Sequence, residues 1–328
     1  MTAADLKVAG SKAGGSKAAI TEGQYADLPN GIRLHYASAG ETKDAASKRK
    51  LMVFLHGFPE AWFTWEEQLA EFGNDHFVVA PDLRGFNLSS KPVEVEAYNI
   101  KHIALDIRLL IAHLGYSSAI IVCHDWGGAV GWHLGIFHPE MVERLIVINS
   151  PHPWLFMRAL ADDPVQQKAS AYMNWLRSPG SEAGLVGDDF KIVERFMNAE
   201  DGTPPEWYTP VVRARYRAMW SVPGAARADG TPSHAMTGGV NFYRATPLHP
   251  PTPNEPARPA PDPSAWTIKV PVRVIWGEND RALTKSLVDG LDRVCPDLRV
   301  VRVPEGSHWI AHEQPARVNR VIRDFLHD

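Results

Sequence analysis

The stretch VCHDWGGAV, residues 122–130, places Asp125 between an apolar run and a pair of glycines. A strand that turns sharply into a helix lifts the side chain at the turn above the carboxyl edge of a sheet, where open α/β sheets bind ligands. Such a turn needs small neighbours. Gly127 and Gly128 supply them, whereas Cys123 stands where glycine is usual. A carboxylate at that point can act as a nucleophile, or it can simply cap the helix that follows, since that end of the dipole favours negative charge. Two further signals favour the chemical reading. HGFPE, residues 56–60, follows an apolar run, and its loop can aim the backbone N–H of Phe58 at the same point as the N–H of Trp126, giving two convergent donors for an oxyanion. GEND and GSHW each follow another apolar run and set Asp280 and His308 on loops at the same edge, so the chain order is nucleophile, acid, histidine. His56 reads as a loop histidine with no chemical step.

A parallel sheet must hold these residues. KLMVFLHGF, FVVAPDL, SAIIVCHD and RLIVINS are short apolar runs of the kind expected for strands buried on both faces. Between them AWFTWEEQLAEF, NIKHIALDIRLLIAHLG and GGAVGWHLGIFHPEMV have helical apolar spacing. Strand alternating with helix predicts a doubly wound α/β sheet, preceded by a β-hairpin in which Asn30 and Gly31 form a type I′ turn. After Ser150 the alternation stops. A segment rich in Trp, Tyr, Met and Pro, with helical pieces VQQKASAYMNWL and PVVRARYRAMW, predicts a helical cap over 151–246. Proline is too frequent in 247–263, PLHPPTPNEPARPAPDP, for helix or central strand, which predicts an extended linker. The sheet resumes over 264–328, with VPVRVIWGEND a strand, LTKSLVDGLDRV a helix, LRVVRVPEGSH a strand and PARVNRVIRDFLHD a closing helix. The core is thus expected in two parts, 21–150 and 264–328, with a mobile tail over 1–20. DLRGFNLSS predicts a loop fixed by an Asp82–Arg84 pair.

The 328 residues, 45% hydrophobic and 22% charged, suffice for a large core carrying an insertion and exclude disordered and fibrous classes. A net charge of −4 without a long basic run gives no footprint for nucleic acid or anionic membrane, so the expected partner is a small neutral molecule. Two cysteines, Cys123 and Cys295, indicate no disulfide framework, which fits a cytoplasmic protein. No run approaches the roughly 18 apolar residues of a membrane span, and the N-terminal stretch lacks the apolar run of a secretory signal. No dinucleotide fingerprint or phosphate loop is found, so no cofactor is expected. His308 and His312 have a metal-compatible spacing, but His308 is needed as a neutral base, and no metal is expected.

Taken together, HGFPEAWFTW, DLRGFNLSSKP, HDWGG, NSPHP, GGVNFYR, WGEND and GSHW occur in the order and spacing of a known family. Over nearly all of its length beyond the N-terminal tail, the chain resembles the α/β-hydrolase-fold epoxide hydrolases. That resemblance implies the α/β-hydrolase fold, a mostly parallel doubly wound sheet with an inserted helical cap. It also implies hydrolysis of an epoxide to a vicinal diol with water, without metal or cofactor, by a monomer or homodimer. The roles it carries over are Asp125 as nucleophile, Asp280 as acid, His308 as base, and Tyr243 of NFYR as a cap tyrosine facing the nucleophile. The family's second cap tyrosine is matched imperfectly. WLRSPG puts Trp175 near that position, while Tyr172 lies three residues earlier on the same helical face. Tyr172 is assigned as the second phenol, and Trp175, Phe58, Trp126 and His152 of NSPHP as pocket lining. Tyr172 and Trp175 fit an ordinary aromatic core equally well.

A carboxylate nucleophile restricts the substrate. A serine attacking a saturated carbon would form an ether, which activated water cannot cleave. An aspartate forms an alkyl ester, whose carbonyl carbon accepts water activated by His308 while the Phe58 and Trp126 amides hold the developing charge. An epoxide oxygen leaves as an alkoxide unless an acid meets it, the role open to Tyr243. The alternative is a haloalkane or haloacetate dehalogenase using the same Asp–His–Asp set. Haloacetate dehalogenases carry arginines just after the nucleophile, where this chain has Trp126, Gly127, Gly128 and Ala129. Haloalkane dehalogenases share the tryptophan, but many add a halide donor from the HGFP loop, where Phe58 offers no polar side chain. A non-catalytic ligand-binding module is a minor alternative; the complete set of catalytic residue types disfavours it.

Overall fold

The computed structural model describes residues 17–42, 48–225, 233–256 and 258–327. Among them eight strands form one sheet in the order β1-β2-β4-β3-β5-β6-β7-β8. At its centre β3 (Leu51–Leu55), β4 (Phe77–Pro81) and β5 (Ala119–His124) are buried at every residue. Parallel strands covered by helices on both faces have no solvent side, so their sequences run apolar without alternation. β6 (Val142–Ile148), β7 (Val272–Gly277) and β8 (Leu298–Val303) continue the parallel run. β1 (Ile20–Asp27) and β2 (Arg33–Ala39) close the other edge antiparallel. β1 is largely exposed and carries Thr, Glu and Gln, as suits an edge strand.

The helices flanking the sheet are α1 (Glu66–Phe72), α2 (Ile100–His113), α3 (Asp125–Phe137), the short α10 (Ile310–Glu313) and α11 (Pro315–His327). The Asn99 side chain caps α2 by accepting from Lys101 N–H, and the helix buries Ile103, Ile107, Leu110 and Ile111 at helical spacing. Among the described residues six α-helices intervene between β6 and β7: α4 (Pro153–Asp162), α5 (Pro164–Ala169), α6 (Tyr172–Arg177), α7 (Ser181–Met197), α8 (Pro210–Trp220) and α9 (Thr237–Ala245). Residues 187–190 of α7 depart from helical geometry. This insertion sits on the loops at the carboxyl edge of the sheet, where Trp220 Nε1–H donates to Pro59 O at 2.7 Å and the Tyr243 ring meets Phe58 at 5.3 Å.

Several local expectations need correction. The hairpin turn is not type I′: Gly31 has φ +81°, but Asn30 does not share a positive φ. Asn30 instead donates to Asp106 Oδ1 at 2.7 Å and accepts from Ile32 N–H, bonds that hold it outside the left-handed region. The helix expected over 283–294 is two 3₁₀ turns, Lys285–Val288 and Leu291–Arg293, because Gly290 adopts φ +83° between them. VQQKASAYMNWL is divided between α5 and α6. Asp82 does not pair with Arg84. It accepts from His35 at 2.6 Å and from Trp62 N–H, while Arg84 forms a bidentate pair with Asp106 at 2.5 and 2.6 Å. Of the tail expected over 1–20, residues 1–16 lie outside the described residues. Lys17 pairs with Glu67, Ala18 N–H donates to Ala70 O, and Ile20 opens β1, so the end of that segment is tied to α1 and the sheet. Among the described residues no helix is long and apolar enough to cross a membrane.

Candidate active site

Asp125 sits where β5 turns into α3, with φ +49°. A non-glycine residue held there carries about 1–3 kcal/mol of strain, which the surroundings must fix. They do so by close approach. A Cβ on Gly127 would lie 2.2 Å from Leu55 O, and one on Gly128 would lie 2.2 Å from Ser150 Cβ. Ser150 Oγ–H donates to the Asp125 carbonyl at 2.7 Å. Cys123, the departure from the usual glycine, is accommodated by Gly131, where a Cβ would stand 2.5 Å from its Sγ. Phe58 N–H donates to Asp125 Oδ1 at 2.8 Å. Trp126, in the first turn of α3, has no carbonyl four residues back within the helix to engage its N–H.

The Asp125 carboxylate therefore has two distinguishable oxygens. Oδ1 is held by Phe58, and Oδ2 faces His308 Nε2 at 3.7 Å. His308, beyond the end of β8, presents Nδ1 to Asp280 Oδ2 at 2.6 Å. Asp280 follows β7 and is fixed by Ala282 and Leu283 N–H on Oδ1 at 2.8 and 2.9 Å and by Asn149 Nδ2–H on Oδ2 at 2.8 Å. Burial alone would raise the Asp280 carboxyl, but the adjoining His308 and these donors hold it below its ordinary range. Burial alone would likewise lower His308. The carboxylates of Asp280, Asp125 and Glu60 outweigh it and push the imidazole up to about 9. The surrounding carboxylates therefore favour the charged form of the resting imidazole.

Opposite His308, Tyr172 of α6 and Tyr243 of α9 bring their rings within 6.1 Å of each other, and Tyr243 meets the Trp126 ring at 5.1 Å. Burial first, and then the Asp125 carboxylate among the nearby groups, raises both phenols above their ordinary range, so both are neutral donors. Two cavities meet at Asp125 and these phenols. One, of about 310 Å³, has an apolar wall that includes Trp126, Ala129, Phe156 and Phe242. The other, of about 770 Å³, is lined by Phe58 and His308 and by polar residues such as Asn198 and Arg281.

Two expected lining residues are not there. Trp175 is 39% exposed and lies against Gly184 of α7. Three residues leave the two side chains about 60° apart on α6, so Tyr172 reaches the site while Trp175, at the margin of the same face, lies between α7 and solvent. His152 is fully buried as the cap of α4: Nδ1 accepts from Trp154 N–H and Nε2 lies 3.1 Å from Trp266 O. Burial pushes it down to about 4. His56 bridges Gly57 O and Leu83 N–H and touches no reacting atom.

Three residues near the site had been given no role. Asn149, with φ +38°, joins β6 to β7 by bonding both Gly277 N–H and Gly277 O while donating to Asp280. Glu60, fully buried, binds His124 Nδ1 at 2.8 Å, His312 Nε2 at 2.9 Å and Thr64 Oγ1 at 2.9 Å. His124 in turn presents Nε2 to the His308 carbonyl at 2.9 Å. All three lie inside motifs quoted above, NSPHP, HGFPE and HDWGG, so their neighbourhood was the available signal.

An eight-stranded, mostly parallel sheet with a carboxylate on its strand–helix elbow and an acid–histidine pair on later loops defines a class of protein. The α/β-hydrolase-fold family model matches residues 50–315, and the chain belongs to that family. It is 38% identical over 299 residues to the AB hydrolase superfamily protein YfhM of Bacillus subtilis (strain 168), covering 90% of this chain and 95% of that protein. It is 32% identical over 299 residues to epoxide hydrolase 3 of Xenopus tropicalis, covering 90% of this chain and 75% of that one. The crystal structure of Bacillus megaterium epoxide hydrolase in complex with an inhibitor superimposes with a TM-score of 0.79 at 35% identity, covering 93% of this chain and all (100%) of that one.

Proposed function

We propose that this protein hydrolyses an epoxide to a vicinal diol through an ester on Asp125, with the α4–α9 insertion serving as its cap. The observation that carries the reading is the convergence on one carboxylate of two phenols, the partly buried Tyr172 and the buried Tyr243, and an imidazole held by Asp280. The similarity to proteins named epoxide hydrolases supports it.

Because Phe58 holds Oδ1, Oδ2 is the attacking oxygen. It bonds to a ring carbon, the ring C–O bond breaks, and the departing oxygen takes a proton from a phenol. The phenolate recovers a proton from the His308 imidazolium through water in the polar cavity, which leaves His308 neutral. A water then bonds to Cγ of Asp125 as His308 Nε2 takes its proton, and charge gathers on Oδ1 beside the Phe58 and Trp126 amides. The Cγ–Oδ2 bond breaks, and the diol leaves with Oδ2 after taking a proton from His308. The new Asp125 carboxyl returns its own proton to His308, restoring carboxylate and imidazolium.

Two free, buried thiols, Cys123 and Cys295, support a reducing compartment, and a cytoplasmic location is part of this proposal. The test is diol formation from styrene oxide and from an aliphatic epoxide by the purified protein and by Asp125→Ala. The parent should form diol, and the folded variant should not exceed the rate without protein. Equal activity in the two would contradict the reading.

A further inference from the structure

The apolar cavity follows one face of α3. Asp125, Ala129, His133 and Ile136 line it in succession, at i, i+4, i+8 and i+11. At 1.5 Å per residue, His133 stands roughly 12 Å along the helix from the reacting carboxylate. Most polar side chains of that wall are engaged elsewhere. Tyr98 O–H donates to Pro92 O, Asn99 and Thr246 accept from Lys101 and Leu248 N–H, and Ser150 donates to Asp125 O. His133 makes no hydrogen bond to a described residue; its ring contacts are Phe137 at 4.7 Å and His138 at 6.1 Å.

We propose that His133 is a hydrogen-bonding subsite at the outer end of the apolar cavity, which selects epoxides whose apolar arm carries a neutral carbonyl, ether or hydroxyl oxygen roughly 12 Å from the ring. An extended chain advances 3.8 Å in three bonds, so the arm is roughly nine bonds long. The subsite rests on the epoxide hydrolase reading for the group bound at its inner end. Burial, with His138 and the Arg108 guanidinium nearby, pushes the imidazole down to about 4. It is therefore neutral near pH 7 and offers one N–H donor and one acceptor nitrogen. A neutral imidazole has no charge to set against a carboxylate, so an uncharged oxygen is the group it fits.

The experiment compares a twelve-carbon terminal epoxide with the same chain ending in a methyl ketone, and the two diols derived from them. Binding of each diol is measured by calorimetry, and kcat/KM is measured for each epoxide, in the parent protein, His133→Leu and His133→Gln. The quantity read is the keto-to-plain preference. His133→Leu should reduce it by roughly three- to tenfold, the scale of one net hydrogen bond, and His133→Gln, which keeps a donor, should retain most of it. A preference the same in all three proteins would overturn the subsite while leaving epoxide hydrolysis intact. A His133-dependent diol preference without turnover of either epoxide would support the subsite and sink the catalytic reading instead.

Discussion

His308 Nε2 stands 3.7 Å from Asp125 Oδ2, near enough to stabilise its charge and too far for a hydrogen bond. The imidazole is therefore not engaged as a base toward the carboxylate. In the proposed mechanism the carboxylate attacks carbon without help from a base, and the histidine is needed only when water attacks the ester.

This division of labour predicts that His308→Gln still alkylates but fails to release product. Intact-mass measurement after epoxide treatment should show protein plus one substrate, persisting for many times the parent's turnover period. Unmodified protein throughout would count against it.

The pH dependence follows from the carboxylates around His308. Its pKa in the folded protein is raised to about 9, so the stability that its charged form contributes is full below the unfolded value of about 6.5 and fades as pH rises through 9. Asp280→Asn removes the foremost raising group, leaving burial to dominate, and the imidazole midpoint followed by NMR should fall well below 9. Esterification also erases the charge of Asp125. In single-turnover experiments, ester hydrolysis should therefore switch on with a midpoint lower than that of the resting imidazole. Coincident midpoints would show that Asp125 contributes nothing to the shift.

Gly57 faces Asp125 so closely that a Cβ would lie 2.4 Å from Asp125 Cβ and 2.6 Å from Oδ1. Gly57→Ala should push the loop away, remove the Phe58 N–H from Oδ1 and slow ester hydrolysis by roughly 10²- to 10³-fold, the usual scale for one oxyanion donor. Relief of the clash also lowers stability by about 1–3 kcal/mol. A variant with unchanged hydrolysis would remove Phe58 from the oxyanion site.

The role proposed for Tyr243 distinguishes epoxide from carbon–halogen chemistry. An alkoxide takes a proton from its donor, whereas a halide needs only a hydrogen bond. Tyr243→Phe should slow epoxide opening by roughly 10²- to 10³-fold, with a smaller effect on a matched alkyl bromide. If the epoxide rate is unchanged and bromide is the faster substrate in the parent, a dehalogenase is the better account.

Asp125 was legible because β5 is buried at every residue and reads as an apolar run up to its end, whereas β7 and β8 carry arginines and β8 is half-exposed at the sheet edge, so Asp280 and His308 were read from the GEND and GSHW motifs that follow those strands. Asn149 was not legible, because its work is done between β6 and β7, and only the folded sheet brings Asp280 within its reach. Glu60 reads in sequence like any surface carboxylate, and its burial depends on His124 and His312 arriving from distant segments. Tyr172 and Trp175 were separable only by the orientation of α6, since three residues leave them about 60° apart on the helix. Gly290 shows the same limit in the fold: apolar spacing over 283–294 suits a helix, yet one left-handed residue divides it.

The most direct test of the central claim is a single turnover of an epoxide by excess protein in water enriched in heavy oxygen. Oxygen from Asp125 should leave in the diol and solvent oxygen should replace it, so peptide mass spectrometry should find the label in the Asp125 peptide and the diol should be unlabelled. Label in the diol with an unlabelled Asp125 peptide would mean that water attacks the epoxide directly, and the covalent account would be wrong.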